Sequence, residues 1–268
     1  MMKFNPDFIV PYIKKAPMAL ALERIFECHI LSQQKFERPA LDIGCGDGIF
    51  ASVLFAQKID LGIDPDGREL EQARRSEMYD ELICCGAQQI PKKDGSFKTI
   101  FANSVLEHII PIRDVLKEAR RVIACDGRMY LTVPTHLYDH QTVCFRLLSA
   151  LQLKGAAEGF RKYYDRFWKH HHYYDLDGWR RLFEECGWSI VQNQTFNPTS
   201  ARLWQDSLIP LSIGSFISRK FFGRWFALPW ARRMYAPVLS VIFGPLMNRY
   251  LSVRDNGGLF FFELRKRS

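Results

Sequence analysis

The sequence holds no CxxC pair, no internal repeat, no low-complexity segment and no apolar run long enough to cross a bilayer. Its late uncharged stretches are residues 207–218, with 12 residues, and 234–248, with 15. A membrane helix needs about 20, and Pro210, Pro237 and Pro245 interrupt both stretches. The seven cysteines are odd in number and lack zinc spacing, which argues against a disulfide framework and a zinc site. The N-terminus has no long apolar signal segment. The expectation is a cytoplasmic protein with free thiols and no metal. Acid is scarce in one region only. Residues 201–268 carry 11 Lys/Arg against 3 Asp/Glu, while the rest of the chain has 26 of each sign. The net charge of +8 therefore lies wholly in the C-terminal quarter, with 13 of the aromatic residues. An anionic partner would meet the chain there. That quarter is rich in aliphatic residues and poor in Asn, Gln and Lys, which speaks against nucleic acid.

With 268 residues and 47% apolar content, the chain can build one elaborated α/β domain. Residues 1–16 have no clear pattern. Residues 18–31 read as a helix after Pro17, with His29 packed or half-exposed on it. Strands are predicted over 40–43, 59–63, 82–84, 99–102 and 129–133. Helices are predicted over 49–56, 68–75 and 115–124, the last closed by Gly127 as a left-handed cap. A helix over 175–186 starts at Asp175 or Asp177 and stops at Gly187. Strands 188–196 and 258–264 follow. This alternation predicts a Rossmann-like, seven-stranded, mostly parallel sheet with helices on both faces, an antiparallel last strand and a mainly helical cap from two insertions. The expected division is an N-terminal helical segment 1–39, a core 40–196 with an insertion at 134–174, an aromatic and basic insertion 197–257, and a last strand with a basic tail over 258–268.

The chemistry centres on residues 40–48, ALDIGCGDG. Glycines here allow a tight strand-to-helix turn and a close backbone approach to a ligand, and the following helix would turn free N–H groups toward it. A dinucleotide site wants G-x-G-x-x-G. Gly44, Gly46 and Gly48 give G-x-G-x-G instead. Asp42 sits two residues before the first glycine, where an acid would repel a pyrophosphate and suit an ammonium group. Asp64 ends the second strand, placed for ribose hydroxyls.

Five pieces in register carry a resemblance: 41–48 (LDIGCGDG), 61–64 (LGID), 90–91 with 94–97 (IP, DGSF), 103–109 (NSVLEHI), and 118–122 with 126–127 (EARRV, DG). Together they resemble class I S-adenosylmethionine (SAM)-dependent methyltransferases of the type 11-like kind, continuously over 40–134 and less firmly over 174–196. The resemblance implies SAM as cofactor. Gly44, Cys45, Gly46 and Gly48 would line its methionine part, Asp42 would stand near its amino group, and Asp64 with Pro65 would meet the ribose. Ala87 and Gln88 would flank adenine, and Asn103 would lie beneath the sulfonium. The family often has an acid at the position of Ala87. Its absence leaves open a non-catalytic binding or assembly protein, although Asp42, Asp64 and the glycines favour a working site.

Methyl transfer from a sulfonium needs positioning and exclusion of water. A base is needed only for an acceptor that loses a proton. His108, His136, His140 and the run 170–172 are the candidates, the first three foremost. The triplet His170, His171 and His172 reads as a solvated or capping cluster, because adjacent residues cannot all face one ion. Residues 134–174 and 197–257 leave the carboxyl side of the sheet and should cover the acceptor. Residues 207–250 mix Trp and Phe with Arg, as an interfacial segment does. That segment could meet an anionic membrane surface, serve only as a lid, or form a dimer surface. The expected reaction is methylation, at oxygen, of an apolar, lipid-linked or glycan-type small molecule; a soluble metabolite is the alternative.

Overall fold

The computed structural model describes residues 1–226, 229–251, 253 and 257–267. Ala227 and Leu228, within the aromatic and basic run, lie outside the described residues. Seven strands form one sheet: β1 (Ala40–Ile43), β2 (Ile59–Asp64), β3 (Tyr79–Cys84), β4 (Phe97–Asn103), β5 (Ile123–Pro134), β6 (Trp188–Phe196) and β7 (Leu259–Lys266). Their order is β3-β2-β1-β4-β5-β7-β6. β1 to β5 run parallel, and β7 lies antiparallel between β5 and β6. The chain moves outward from β1 to β3 and then crosses back to β4. That reversal beside β1 opens a crevice at the carboxyl ends of β1 and β4, where open α/β sheets bind ligands.

Both faces of the sheet are covered, so the central strands are apolar on both sides. Side chains alternate between the faces. Leu41, Ile43, Ile100, Phe260 and Phe262 belong to one core, and Phe101, Tyr130 and Phe261 to the other. The first core is closed by α5 (Ile112–Val122) and α8 (Leu176–Glu185). In α5 the buried stripe is Ile112, Val115, Leu116, Ala119 and Val122, at helical spacing. Each large member stabilises by about 1.5–3 kcal/mol. Asp175 caps α8, its side chain accepting from the Gly178 N–H at 2.8 Å. The second core is closed by α1 (Ile9–Lys15), α2 (Met18–Ser32) and α3 (Ile49–Leu54). α4 (Gly67–Ser76) joins β2 to β3.

Some boundaries differ from the sequence expectation. Residues 9–15 form α1, a helix too short to leave a periodic signal. α5 ends at Val122, and Ile123 turns directly into an extended conformation. Gly127 is therefore inside β5 rather than a helix cap. A Cβ there would come within 2.9 Å of the Lys98 carbonyl oxygen, so it serves the close approach of β5 to β4.

The two insertions are helical. Residues 139–141 form a 3₁₀ turn, followed by α6 (Val143–Ala150) and α7 (Lys154–Trp168). After β6 come α9 (Thr199–Ser207), α10 (Ile209–Phe222) and α11 (Pro229–Leu251). Among the described residues, no helix is long and apolar enough to cross a membrane.

Candidate active site

The glycine loop lies where β1 ends. Gly44 adopts φ +72°, and a Cβ on it would fall 2.6 Å from Val105. A side chain is therefore excluded twice, by conformation and by space. Gly46 faces open space and donates its N–H to Asp64 Oδ2 at 3.0 Å. Asp64 Oδ1 accepts from the Asp66 N–H at 2.9 Å, so one carboxylate holds both the loop and the start of α4. Burial raises the pKa of Asp64.

A cavity of about 360 Å³ opens over this loop. Its walls include Asp42, Gly44, Cys45, Gly46, Asp47 and Asn103 from the core. Tyr12, Arg24, Arg219 and Trp225 contribute from outside it. Asp42 is buried, and Tyr79 Oη donates to its Oδ2 at 2.8 Å. Burial pushes Asp42 up to about 7, against the lowering effect of that hydrogen bond. A buried carboxyl without a cationic partner fits a ligand that brings positive charge, as SAM does with its ammonium and sulfonium groups. The same acid opposes a pyrophosphate.

Asn103 is held on both sides. Its Nδ2 donates to Glu27 Oε2 at 2.7 Å, and its Oδ1 accepts from Thr132 Oγ1 at 2.8 Å. Glu27 is fully buried and also accepts from Ser104 Oγ at 2.5 Å and twice from Arg24, at 2.6 and 2.7 Å. This network, from α2 to β4, forms the floor between two cavities.

The second cavity, of about 300 Å³, shares Leu20, Arg24, Ser104 and Trp225 with the first. Its other walls include Glu107, His108, Tyr138, His170 and Arg202. Arg202 is buried, its guanidinium 4.3 Å from the centre of the Tyr138 ring, and it donates to Tyr164 Oη. Tyr138 Oη donates to Glu23 at 2.5 Å. A third space, an apolar groove of about 610 Å³, shares Tyr164, Trp168, Ile209 and Phe216 with the second. Three spaces thus adjoin in series, from the glycine loop to the outer surface of the cap.

The structure brings Asp42, Gly44, Cys45, Gly46 and Asn103 together around the first cavity. Gly48 lies at the entry to α3 and backs onto Ala73 and Ser76 of α4. α3 has only six residues, and Asp47 Oδ1 already accepts the Ile49 N–H at 3.0 Å. Asp64 and Pro65 stand behind the loop at the end of β2. Ala87 is buried in the core beside Ile63 and Ile90. Gln88 is exposed, with its amide folded over Gly86. Of His108, His136 and His140, His108 alone is among the residues that line the second cavity. His136 is exposed. His140 Nδ1 lies 2.8 Å from Asp139 Oδ1, and its ring packs against Phe145. The chain after β5 folds tightly, the Thr135 N–H bonding Gly258 O at 2.9 Å, and this turns Tyr138 inward in their place.

Sequence reasoning missed Tyr12, Arg24, Glu27, Tyr138, Arg202, Arg219 and Trp225, and it read His170 as part of a solvated or capping cluster. A charged pair at i and i+3 within the apolar helix 18–31 was the one available signal, at Arg24 and Glu27. The others are gathered from distant parts of the chain. Arg219 and Trp225 show how the cap closes the first cavity. Arg219 pairs with Glu69 on α4 and lies 3.3 Å from Asp47, and Trp225 Nε1 donates to Asp47 Oδ2 at 3.1 Å.

A family model described as a methyltransferase domain matches residues 15–193. The malonyl-[acyl-carrier protein] O-methyltransferase of Legionella pneumophila is 31% identical over 101 residues, covering 35% of this chain and 36% of the relative. An uncharacterized protein of Methanocaldococcus jannaschii is 32% identical over 136 residues, 49% of this chain and 57% of its own. The chain thus spans only about a third to just over half the length of these relatives. Among solved structures, a SAM-dependent methyltransferase of Thermotoga maritima, a possible histamine N-methyltransferase, superposes with a TM-score of 0.55 at 15% identity, over 93% of this chain and 91% of the other. That likeness is one of fold. The chain belongs to the methyltransferase-domain family: it is a SAM-dependent methyltransferase domain of the Rossmann-like class.

Proposed function

We propose that the protein methylates an oxygen atom of an amphipathic, lipid-like or lipid-linked small molecule. The observation that carries this reading is the series of adjoining spaces. The first cavity fits the donor. The second is polar and ringed by tyrosines and buried charge, which suits a head group. The third is apolar and open to the surface, which suits a tail. The relative named as an O-methyltransferase supports oxygen as the acceptor atom.

When bound, SAM supplies an activated methyl group on a sulfonium. The chain's contribution is positional. Asp42 and the loop amides hold the amino-acid end of the donor. The Arg24–Glu27–Ser104–Asn103 network fixes the floor on which donor and acceptor meet. Trp225 and Arg219 close the roof and keep water out. His108 is the sequence-designated histidine placed to take a proton from an acceptor hydroxyl, and burial lowers its pKa, which keeps it neutral and able to accept.

The reading extends to a membrane surface. α10 exposes Leu211, Ile213, Ile217, Phe221 and Phe222, and α11 exposes Trp230, Met234, Val238, Val241 and Ile242. So much exposed apolar surface around an apolar groove favours contact with lipid over a lid bathed in water.

Transfer from radiolabelled SAM in a lysate of the native host tests the acceptor class. Label is expected in the organic phase after solvent extraction. Label confined to the aqueous phase would move the reading to a soluble metabolite. No transfer by protein that binds SAM would favour a binding role.

A further inference from the structure

We infer that Glu107, His108 and His170 form a binding site for a divalent first-row transition cation in the wall of the acceptor cavity. Glu107 and His108 lie in the 3₁₀ turn after β4, and His170 follows α7. The three come from two elements that only the tertiary fold brings together. Each offers one ligand atom, and these atoms lie within 4.8 Å of one another. Donors held tetrahedrally at about 2.1 Å from an ion are about 3.4 Å apart, so the three must draw together by up to about 1.4 Å to complete the set.

The second observation is the carboxylate itself. Glu107 is 2% exposed, and its Oε2 has no hydrogen-bond partner among the described residues. A buried polar atom left unpaired is costly unless something absent from the chain satisfies it. Glu107 lines the cavity together with both histidines.

The third observation is how the imidazoles are held. His108 Nδ1 lies 3.2 Å from the Lys169 carbonyl oxygen, which can only accept. The proton is therefore on Nδ1, and the Nε2 lone pair is free. His170 Nδ1 bonds to Tyr173 Oη. With Nδ1 of His170 so engaged, Nε2 is the nitrogen left for a ligand. A carbonyl behind one histidine and a tyrosine hydroxyl behind the other are outer partners of the kind that metal-binding imidazoles use. Of the nearby cations, Arg24 is paired with Glu27, and Arg202 donates from one terminal nitrogen to Tyr164 beside the Tyr138 ring.

Two imidazoles and one carboxylate suit Zn²⁺, Mn²⁺ or Fe²⁺ better than Mg²⁺ or Ca²⁺, which take oxygen ligands. Three protein ligands leave open positions that face the cavity. In the reaction proposed above, an acceptor oxygen would occupy one of them, and His108 would then act through the ion instead of as a free base. That role rests on the proposed reaction, whereas the site itself does not. Among the triplet, His172 turns its Nε2 to the Ile109 carbonyl and His171 is exposed, so one of the three serves and the sequence argument against a shared ion still holds.

The test is calorimetric titration of the chelator-stripped full chain with Zn²⁺ and Mn²⁺, with Mg²⁺ as comparator and S-adenosylhomocysteine binding as the folding control. One Zn²⁺ per chain should bind with a Kd of about 1 μM or tighter, and Mg²⁺ at least about 100-fold more weakly. His170→Ala and Glu107→Gln should each weaken Zn²⁺ by about 30-fold or more, and Tyr173→Phe by about tenfold. His171→Ala should change nothing. Absence of Zn²⁺ binding in protein that binds S-adenosylhomocysteine overturns the site, as does Zn²⁺ binding that survives His170→Ala. Ion binding without any methyl transfer would count against the proposed reaction and leave the site standing.

Discussion

At the residue scale, the proposed hold on the donor turns on two carboxylates. Asp42 is up at about 7 because it is buried with only a tyrosine hydroxyl to stabilise its charge. A cationic ligand needs it ionised, so binding below pH 7 requires release of a proton. The Kd for S-adenosylhomocysteine, which keeps the ammonium, should therefore rise by up to about tenfold per pH unit below 7 and level off above 8. Asp42→Asn should flatten the profile; an unchanged profile in that variant would remove Asp42 from the ammonium subsite. The sign for the unliganded fold is the opposite. A folded pKa above the unfolded value favours the protonated native state, so this contribution to stability is present at acid pH and is lost as pH rises toward 7. Asp64 works through the backbone. Asp64→Ala frees the Gly46 and Asp66 amides and should weaken donor binding by at least about tenfold, read by calorimetry. Glu27→Ala would leave Arg24, whose side chain is 21% exposed, without its bidentate partner. The expected loss is about 3–5 kcal/mol of unfolding free energy by urea titration; a loss below about 1 kcal/mol would mean that solvent reaches the site.

At the element scale, the chain after β6 closes the cavity over the glycine loop. α10 carries Arg219 onto Glu69 and Asp47, and the segment beyond it brings Trp225 onto Asp47. This bears on the aromatic and basic run. Read as sequence, its arginines look outward, toward anionic lipid. In the fold, Arg219 turns in to the glycine loop, and Arg232 is buried, donating to the carbonyls of Ile13 at 2.7 Å and Ala16 at 3.2 Å. A fixed hydrogen-bonded partner outweighs a diffuse surface attraction, so Arg219 braces the cap on α4 and the glycine loop, and Arg232 braces it on α1. Trp225→Ala should weaken S-adenosylhomocysteine by about tenfold, mainly by speeding its dissociation. Equal dissociation rates would show that the roof is no part of the donor site.

At the scale of the whole molecule, the same two inward arginines change what membrane contact should look like. Exposed apolar side chains on α10 and α11 would supply the attraction, with Lys220 and Arg224 at the margin. Flotation with lipid vesicles should therefore persist in about 0.5 M salt, where purely electrostatic binding is screened. Leu211→Glu combined with Phe221→Glu should abolish it. Protein that stays at the bottom of the gradient with both anionic and zwitterionic vesicles would end the membrane reading. The cap is also where the sequence was least legible. α9 and α10 bury mainly polar residues, Arg202, Gln205, Ser212 and Ser218, so apolar periodicity did not disclose which face turns inward.

The sequence by itself determined the seven-stranded, mostly parallel sheet with its antiparallel last strand, and the glycine loop after β1. These depend on local rules: continuous apolar runs for strands buried on both faces, a buried stripe such as Ile112 to Val122, and glycines where a Cβ would strike Val105. The tertiary structure alone decided the second cavity, the proposed acceptor side. Tyr138, Tyr164, His170 and Arg202 lie far apart along the chain, and no spacing relates them to Arg24 and Glu107. It also decided against His136 and His140 as cavity residues, because the bond from Thr135 to Gly258 sets which side chains after β5 point inward. Local spacing reports a residue's neighbours along a strand or a helix. A cavity is made where separate elements meet, and its chemistry is set by packing between them.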